Sequence, residues 1–286
     1  MDSLRQKEEL LFRKWEKRLE GLGLDKELFC YDGLHYLGKA VKDPCWRIAP
    51  TAGLAERKWD SSPIRCLFLT KDHNLQGEDE GVDFREESGL DNGSDKMYWQ
   101  FYMRYTMLLY GLYHYDPVVG KCPSLDEVQD RDMLLEAFQQ EIPVVRMNTK
   151  KIAGGSSLDK GDLFSHIQRD RDLINEQMDL YDANVFVVCD GSEFGSLDNL
   201  REEPRMNPIM ALMLERYTDL RLYKYAGPAK EYGSYSFIFF SQGHHVIVIW
   251  EYHPSHRVSY KEYYAPLSHF EDFMGHHPGF LLPRNG

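Results

Sequence analysis

Three apolar runs in this chain each end in groups capable of acid–base and hydrogen-bond chemistry. Ile64 to Thr70 leads into Lys71-Asp72-His73-Asn74, Ile142 to Met147 leads into Asn148-Thr149-Lys150-Lys151, and Val246 to Tyr252 leads into His253-Pro254-Ser255-His256-Arg257. A carboxylate at Asp72 can stabilise positive charge developing on a reacting carbon and can orient a water molecule. A neutral imidazole at His253 can donate a hydrogen bond to a leaving group that departs with negative charge. The Asn148 carboxamide carries a donor and an acceptor side by side, which suits the edge of a planar heterocycle. Brought together, the three groups are the parts of a candidate active site.

The elements around these residues decide whether they meet. A short run as rich in β-branched residues as Val246-Ile247-Val248-Ile249 reads as a strand buried on both faces, and Pro254, which has no N–H to give a ladder, must end it. His253 therefore stands at the carboxyl edge of a sheet, where open α/β folds bind ligands. Strands are likewise expected over Ile64 to Thr70, Val144 to Met147 and Asn184 to Asp190, with a hairpin pairing residues 235–240 with 246–252. Leu4, Leu10, Leu11, Trp15 and Leu19 recur at helical spacing, predicting a lead helix over 3–20 closed by Gly21 and Gly23. Residues 98–113 are apolar nearly all round and read as a buried helix, and Ile167, Ile174, Met178 and Tyr181 mark one face of another over 162–182. Asn207-Pro208 reads as a helix N-cap followed by Pro at the first helical position. The alternation of strands and helices predicts a single α/β domain with a mainly parallel sheet covered on both faces. Around its core of 64–264, residues 1–62 form an extension, irregular beyond the lead helix. The acidic segment 75–95 is expected as a loop, and 266–286 as a turn-rich, loosely attached tail.

A formal net charge of -12 argues against a general nucleic-acid binder, which needs a basic face. The acidic residues concentrate in 77–87 and 124–132, however, while the proposed strand ends carry Lys71, Arg146, Lys150, Lys151, His253, His256 and Arg257. That distribution predicts a local positive funnel on an acidic body. The five cysteines form no CxxC pair, and Cys66 and Cys189 sit inside apolar runs where they are expected to pack as small hydrophobes. No apolar run approaches the roughly 20 residues of a membrane span, and the first residues do not look like a secretory signal, so a cytoplasmic protein without cofactor is expected.

The segments at the strand ends resemble the motif set of the uracil-DNA glycosylase superfamily. Tyr252-His253-Pro254-Ser255 matches the family's His-Pro-Ser at the end of its last strand. The run Val145-Arg146-Met147-Asn148 through Gly154-Gly155 is similar to its strand ending in Asn before a Gly turn. Of the first motif, Thr70-Lys71-Asp72-His73-Asn74 keeps only the Asp. The likeness spans roughly residues 64 to 264 and implies a three-layer α/β/α sandwich with a central, mainly parallel four-stranded sheet. It also implies hydrolytic removal of uracil or another modified base from DNA after the base has left the stack. On that reading Asp72 and His253 are catalytic, and Asn148 recognises the base edge. An aromatic floor would come from Phe84, Tyr98 or Trp99, with Phe84 carried as the candidate. Lys150, Lys151, Gly154, Gly155, Ser255, His256 and Arg257 would meet the phosphates, the glycines and Ser255 through backbone N–H groups. The family's Pro-Tyr after the Asp is missing here, which leaves selectivity for uracil open.

Each residue also has a plainer use. Asp72 can cap a turn, Asn148 can satisfy a strand-end carbonyl, and His253 before Pro254 can bond to backbone. Two other functions follow from the same residues. One is a module on this fold that binds a nucleobase, nucleotide or nucleic acid without cleaving it. The other is a hydrolase holding a metal ion on His253, His256 and Asp72, with the two histidines at i, i+3.

Overall fold

The structure, a computed structural model, describes residues 3–43, 45–71, 83–86, 96–152, 159–190, 197–223, 237–251 and 259–281. Helix α1 (Leu4–Gly21) starts at a capping box in which the Ser3 hydroxyl accepts the Gln6 N–H and the Gln6 side chain accepts the Ser3 N–H. It buries Leu11, Phe12, Trp15 and Leu19 on one stripe. The following stretch, expected to be irregular, contains an edge strand β1 (Gly33–Leu34), a hairpin of β2 (Gly38–Asp43) with β3 (Cys45–Pro50), and helix α2 (Leu54–Ser61).

The core follows as β4 (Cys66–Thr70), α3 (Lys96–Tyr113), α4 (Arg131–Gln140), β5 (Val145–Asn148), α5 (Lys160–Tyr181), β6 (Val185–Val188), α6 (Leu197–Glu202), α7 (Pro208–Arg216), β7 (Arg221–Leu222), β8 (Phe237–Ser241) and β9 (Val246–Trp250). Helices α8 (Tyr260–Tyr264) and α9 (Pro266–His276) close the described chain.

One seven-stranded sheet runs in the order β1-β5-β4-β6-β9-β8-β7. The central four, β5-β4-β6-β9, are parallel, while β1, β8 and β7 pair antiparallel at the two flanks. The sheet is thus wider than the four strands expected, because the parallel centre is extended at both edges. Its two faces are covered separately. Leu67, Leu69, Val145, Met147, Phe186, Val188, Val248 and Trp250 pack under α1, α2, α5 and α7. Cys66, Phe68, Val187, Cys189, Ile247 and Ile249 pack under α3, α4, α8 and α9. Burial on both faces is why the central strands read as continuous apolar runs rather than alternating ones. Cys66 and Cys189 are fully buried within them, and burial pushes both thiols up.

Two expectations are corrected beyond the N-terminal stretch. The C-terminal segment is no loose tail: Leu267, Phe270, Phe273 and Met274 line one face of α9 and are buried against the sheet. Burying each phenyl ring stabilises the fold by about 1.5–3 kcal/mol. Pro208 does begin α7, but the Asn207 side chain makes no capping bond. The Asp190 carboxylate caps α7 instead, accepting the N–H groups of Ile209 at 2.8 Å and Met210 at 3.2 Å. No helix among the described residues is long and apolar enough to cross a membrane.

Candidate functional site at the carboxyl edge of the sheet

The four parallel strands end together. Their lateral hydrogen bonds continue one or two residues past the ladder: Thr149 N–H to Thr70 O at 3.0 Å, Lys150 N–H to Lys71 O at 2.9 Å, Cys189 N–H to Leu69 O at 2.9 Å and Glu251 N–H to Val188 O at 2.9 Å. Thr70 and Asn148 are register partners across β4 and β5, so their side chains leave the sheet side by side. Both are buried, and the Thr70 hydroxyl donates to Asn148 Oδ1. This bond turns the carboxamide oxygen toward β4 and sets the amide plane.

The backbone of Asn148 is held from the other side. Its N–H donates to Asp32 Oδ2 at 2.7 Å, while Asp32 Oδ1 accepts from Lys151 Nζ at 2.5 Å and from Gln177 Nε2 at 3.1 Å. Asp32 and Lys151 are both buried. Burial pulls the Lys151 ammonium below the usual lysine range, and the adjacent Asp32 carboxylate pulls it partly back. The ion pair continues into a larger buried network. Glu8 Oε1 accepts from the Leu34 N–H at 2.9 Å and the Tyr181 hydroxyl at 2.8 Å, and Glu8 Oε2 accepts from Arg5 at 2.6 Å and Arg85 at 3.3 Å. Gly33, at φ +142°, makes room for this: a Cβ there would meet the Tyr181 hydroxyl and stand 2.6 Å from Glu8 Oε1.

The sequence candidates distribute as follows. Asn148 stands at the carboxyl edge as expected. Lys150 and Lys151, expected on phosphates, lie in the interior, and the Lys151 charge is matched by Asp32 rather than shown to solvent. Phe84 is buried in a single helical turn, Phe84–Glu86, with its N–H on Tyr31 O at 2.9 Å. The Arg146 guanidinium lies 5.0 Å from the Phe84 ring centroid. Arg146 is one pleat before Asn148 on the same face of β5, so Phe84 lies near the candidate edge with one ring face occupied by a cation. Asp72, Gly154, Gly155, His253, Ser255, His256 and Arg257 lie outside the described residues, as do Tyr252 and Pro254. Lys71, Ile152 and Glu251, which lead toward them, all belong to the same edge.

Sequence reasoning passed over several residues at this edge. Asp190 is buried at the end of β6, where it accepts the Trp250 indole N–H at 2.8 Å as well as the two α7 amides. Burial raises its pKa, and those three donors oppose the rise. Glu251 is buried just past β9, and its negative charge helps to raise the pKa values of Cys189 and Tyr263 beyond the larger effect of burial. A strand ending in an acid gave a signal for both. Asp32 gave none, because its partners lie 116 or more residues away.

Buried His35 completes the neighbourhood beside β1. Its N–H donates to Val144 O, its ring packs edge-on to Phe138 at 5.9 Å, and neither ring nitrogen has a hydrogen-bond partner. Burial first, then the charges of Arg146 and Arg5, holds this imidazole well below the usual histidine range. Two cavities, of about 440 and 600 Å³, lie at the opposite, amino edge of the sheet and share Asp60, Arg65 and Asp182. Arg65 is committed there to Asp182 at 2.8 Å, and the mixed charges around it select no class of ligand. No protein-family model, no curated protein and no solved structure matches the chain.

Proposed function

We propose that the chain is a glycosylase-like hydrolase that removes uracil or another modified base from DNA by cleaving the N-glycosidic bond after base flipping. The reading is carried by one observation: β4, β5 and β9, the strands leading to Asp72, Asn148 and His253, belong to one parallel set and end at one edge. Four parallel central strands between two helical layers also agree with the sandwich that the resemblance implies. The Asn148 amide, oriented by Thr70, is suited to reading the edge of a base. In the cleavage step, the bond from the sugar carbon to the base nitrogen breaks and its electrons leave with the base. The Asp72 carboxylate stabilises the oxocarbenium-like sugar and orients the attacking water, and His253 donates to the departing base oxygen.

Lys150 and Lys151 turn inward, which favours a second reading, a nucleobase- or nucleotide-binding protein on the same fold that does not cleave. A release assay on single-stranded oligonucleotides carrying uracil and a panel of modified bases separates the two. Abasic sites from the wild type, lost in His253→Ala and Asp72→Ala, support the hydrolase. Binding of the same oligonucleotides with no base released supports the binding protein.

A further inference from the structure

Asp32 belongs to the N-terminal segment, outside the stretch of sequence that the resemblance covers, yet its carboxylate bonds directly to the backbone of Asn148. Its two oxygens divide the work. Oδ2 accepts the backbone N–H of Asn148 at 2.7 Å, and Oδ1 accepts from Lys151 and Gln177. The first bond fixes the main chain at Asn148, whose carboxamide stands at the carboxyl edge of the sheet. The second prevents the Lys151 ammonium, three residues on, from remaining an unmatched buried charge that would pull the same turn toward water. Asp32 is itself braced by its neighbours: β1 begins at the next residue and pairs Gly33 with Arg146 and Leu34 with Val145. Gln177 reaches it from α5. The carboxylate is therefore tied to two elements of the core and is buried completely.

We infer that Asp32 is a positioning residue for Asn148, so that the N-terminal segment forms part of the site rather than an appendage to the catalytic core. The inference rests on the functional reading above for what Asn148 does, but not for whether Asp32 holds it. A small displacement of a group that orients a reactant is costly: about 1 Å of misplacement can lower a rate 100-fold. Losing the acceptor at residue 32 is accordingly expected to lower base release by about 10- to 100-fold, mainly in kcat.

The single change Asp32→Leu would strand Lys151 and risk unfolding, so the test uses paired substitutions that remove both charges. D32L/K151M deletes the acceptor, whereas D32N/K151M keeps an oxygen that can still accept the Asn148 N–H. Two measurements are made on both full-length variants and the wild type. One is hydrogen exchange at the Asn148 amide; the other is kcat and KM for release of uracil from a single-stranded oligonucleotide. The expected result is fast exchange and low kcat in D32L/K151M, with both largely recovered in D32N/K151M and the two variants melting within a few degrees of each other. Equal amide protection in the two variants overturns the inference, as does lost protection with unchanged release. If the wild type releases no base, the glycosylase reading has failed by itself. The exchange comparison then decides whether Asp32 holds Asn148.

Discussion

His35 is expected to make the fold sensitive to mild acid, and the size of the effect follows from its surroundings. The charges acting most on its ring are Arg146 from β5, Arg5 from α1 and Arg85 from the turn Phe84–Glu86, with the Asp32 carboxylate set against them, and Phe138 packs edge-on from α4. Three of these four charges oppose protonation, and burial opposes it more strongly. The folded protein therefore keeps His35 neutral, while the unfolded chain takes up a proton near pH 6.5. Stability from this group is complete above the unfolded pKa and is lost as pH falls below it. One proton corresponds to about 1.4 kcal/mol per pH unit, so a drop from pH 6.5 to 5.0 removes at most about 2 kcal/mol. That is a large share of the 5–15 kcal/mol typical of a domain. Urea unfolding of the wild type and His35→Leu at pH 7.5, 6.5, 5.5 and 5.0 tests this. Neither ring nitrogen is hydrogen-bonded, so the variant is expected to be as stable as the wild type, or more so, at pH 7.5. Its stability should fall less steeply below pH 6.5, by one proton's worth. His269, held down to about 4 mainly by burial, titrates in both proteins and cancels in the difference. Parallel stability curves for the two proteins between pH 6.5 and 5.0 would refute the reasoning.

Phe270→Ala, which empties a fully buried site under α9, is expected to cost about 3–5 kcal/mol in denaturant unfolding, whereas a truly loose tail would lose almost nothing. Asp190→Ala leaves two α7 amides and the Trp250 indole without their acceptor and should cost at least ~2 kcal/mol, with Asp190→Asn recovering part of it because an amide oxygen remains.

What the sequence made legible was governed by length and by local pattern. Helices α3 and α5 run 18 and 22 residues, long enough for periodicity to declare them, and the central strands declared themselves as β-branched runs with abrupt polar ends. Strands β1 and β7 are two residues long and have no period to detect. In α9, Leu267, Phe270, Phe273 and Met274 do carry helical spacing, but the turn-forming signals of Gly275, Pro278 and Gly279 lie so close behind that they masked it. Asn207 had the right chemistry for a cap and lost the position to Asp190, a competitor brought in by the tertiary fold. The same holds at the site. Asn148 was readable because a strand leads directly to it. The inward turn of Lys151 was not, since the cause is a carboxylate 119 residues earlier in the chain.

The network around Glu8 and Asp32 has a consequence for how the chain is made. Glu8 meets Tyr181 across 173 residues, and Asp32 meets Gln177 across 145. During synthesis these acids leave the ribosome long before Tyr181 and Gln177 do, so the circuit between helix α1 and α5 cannot close until α5 has emerged. Contacts this distant in sequence form late and slow the search for the native state. Closure of the circuit should therefore be among the last events in folding. A nascent chain stopped short of residue 181 should leave Glu8 hydrated and its helix undocked.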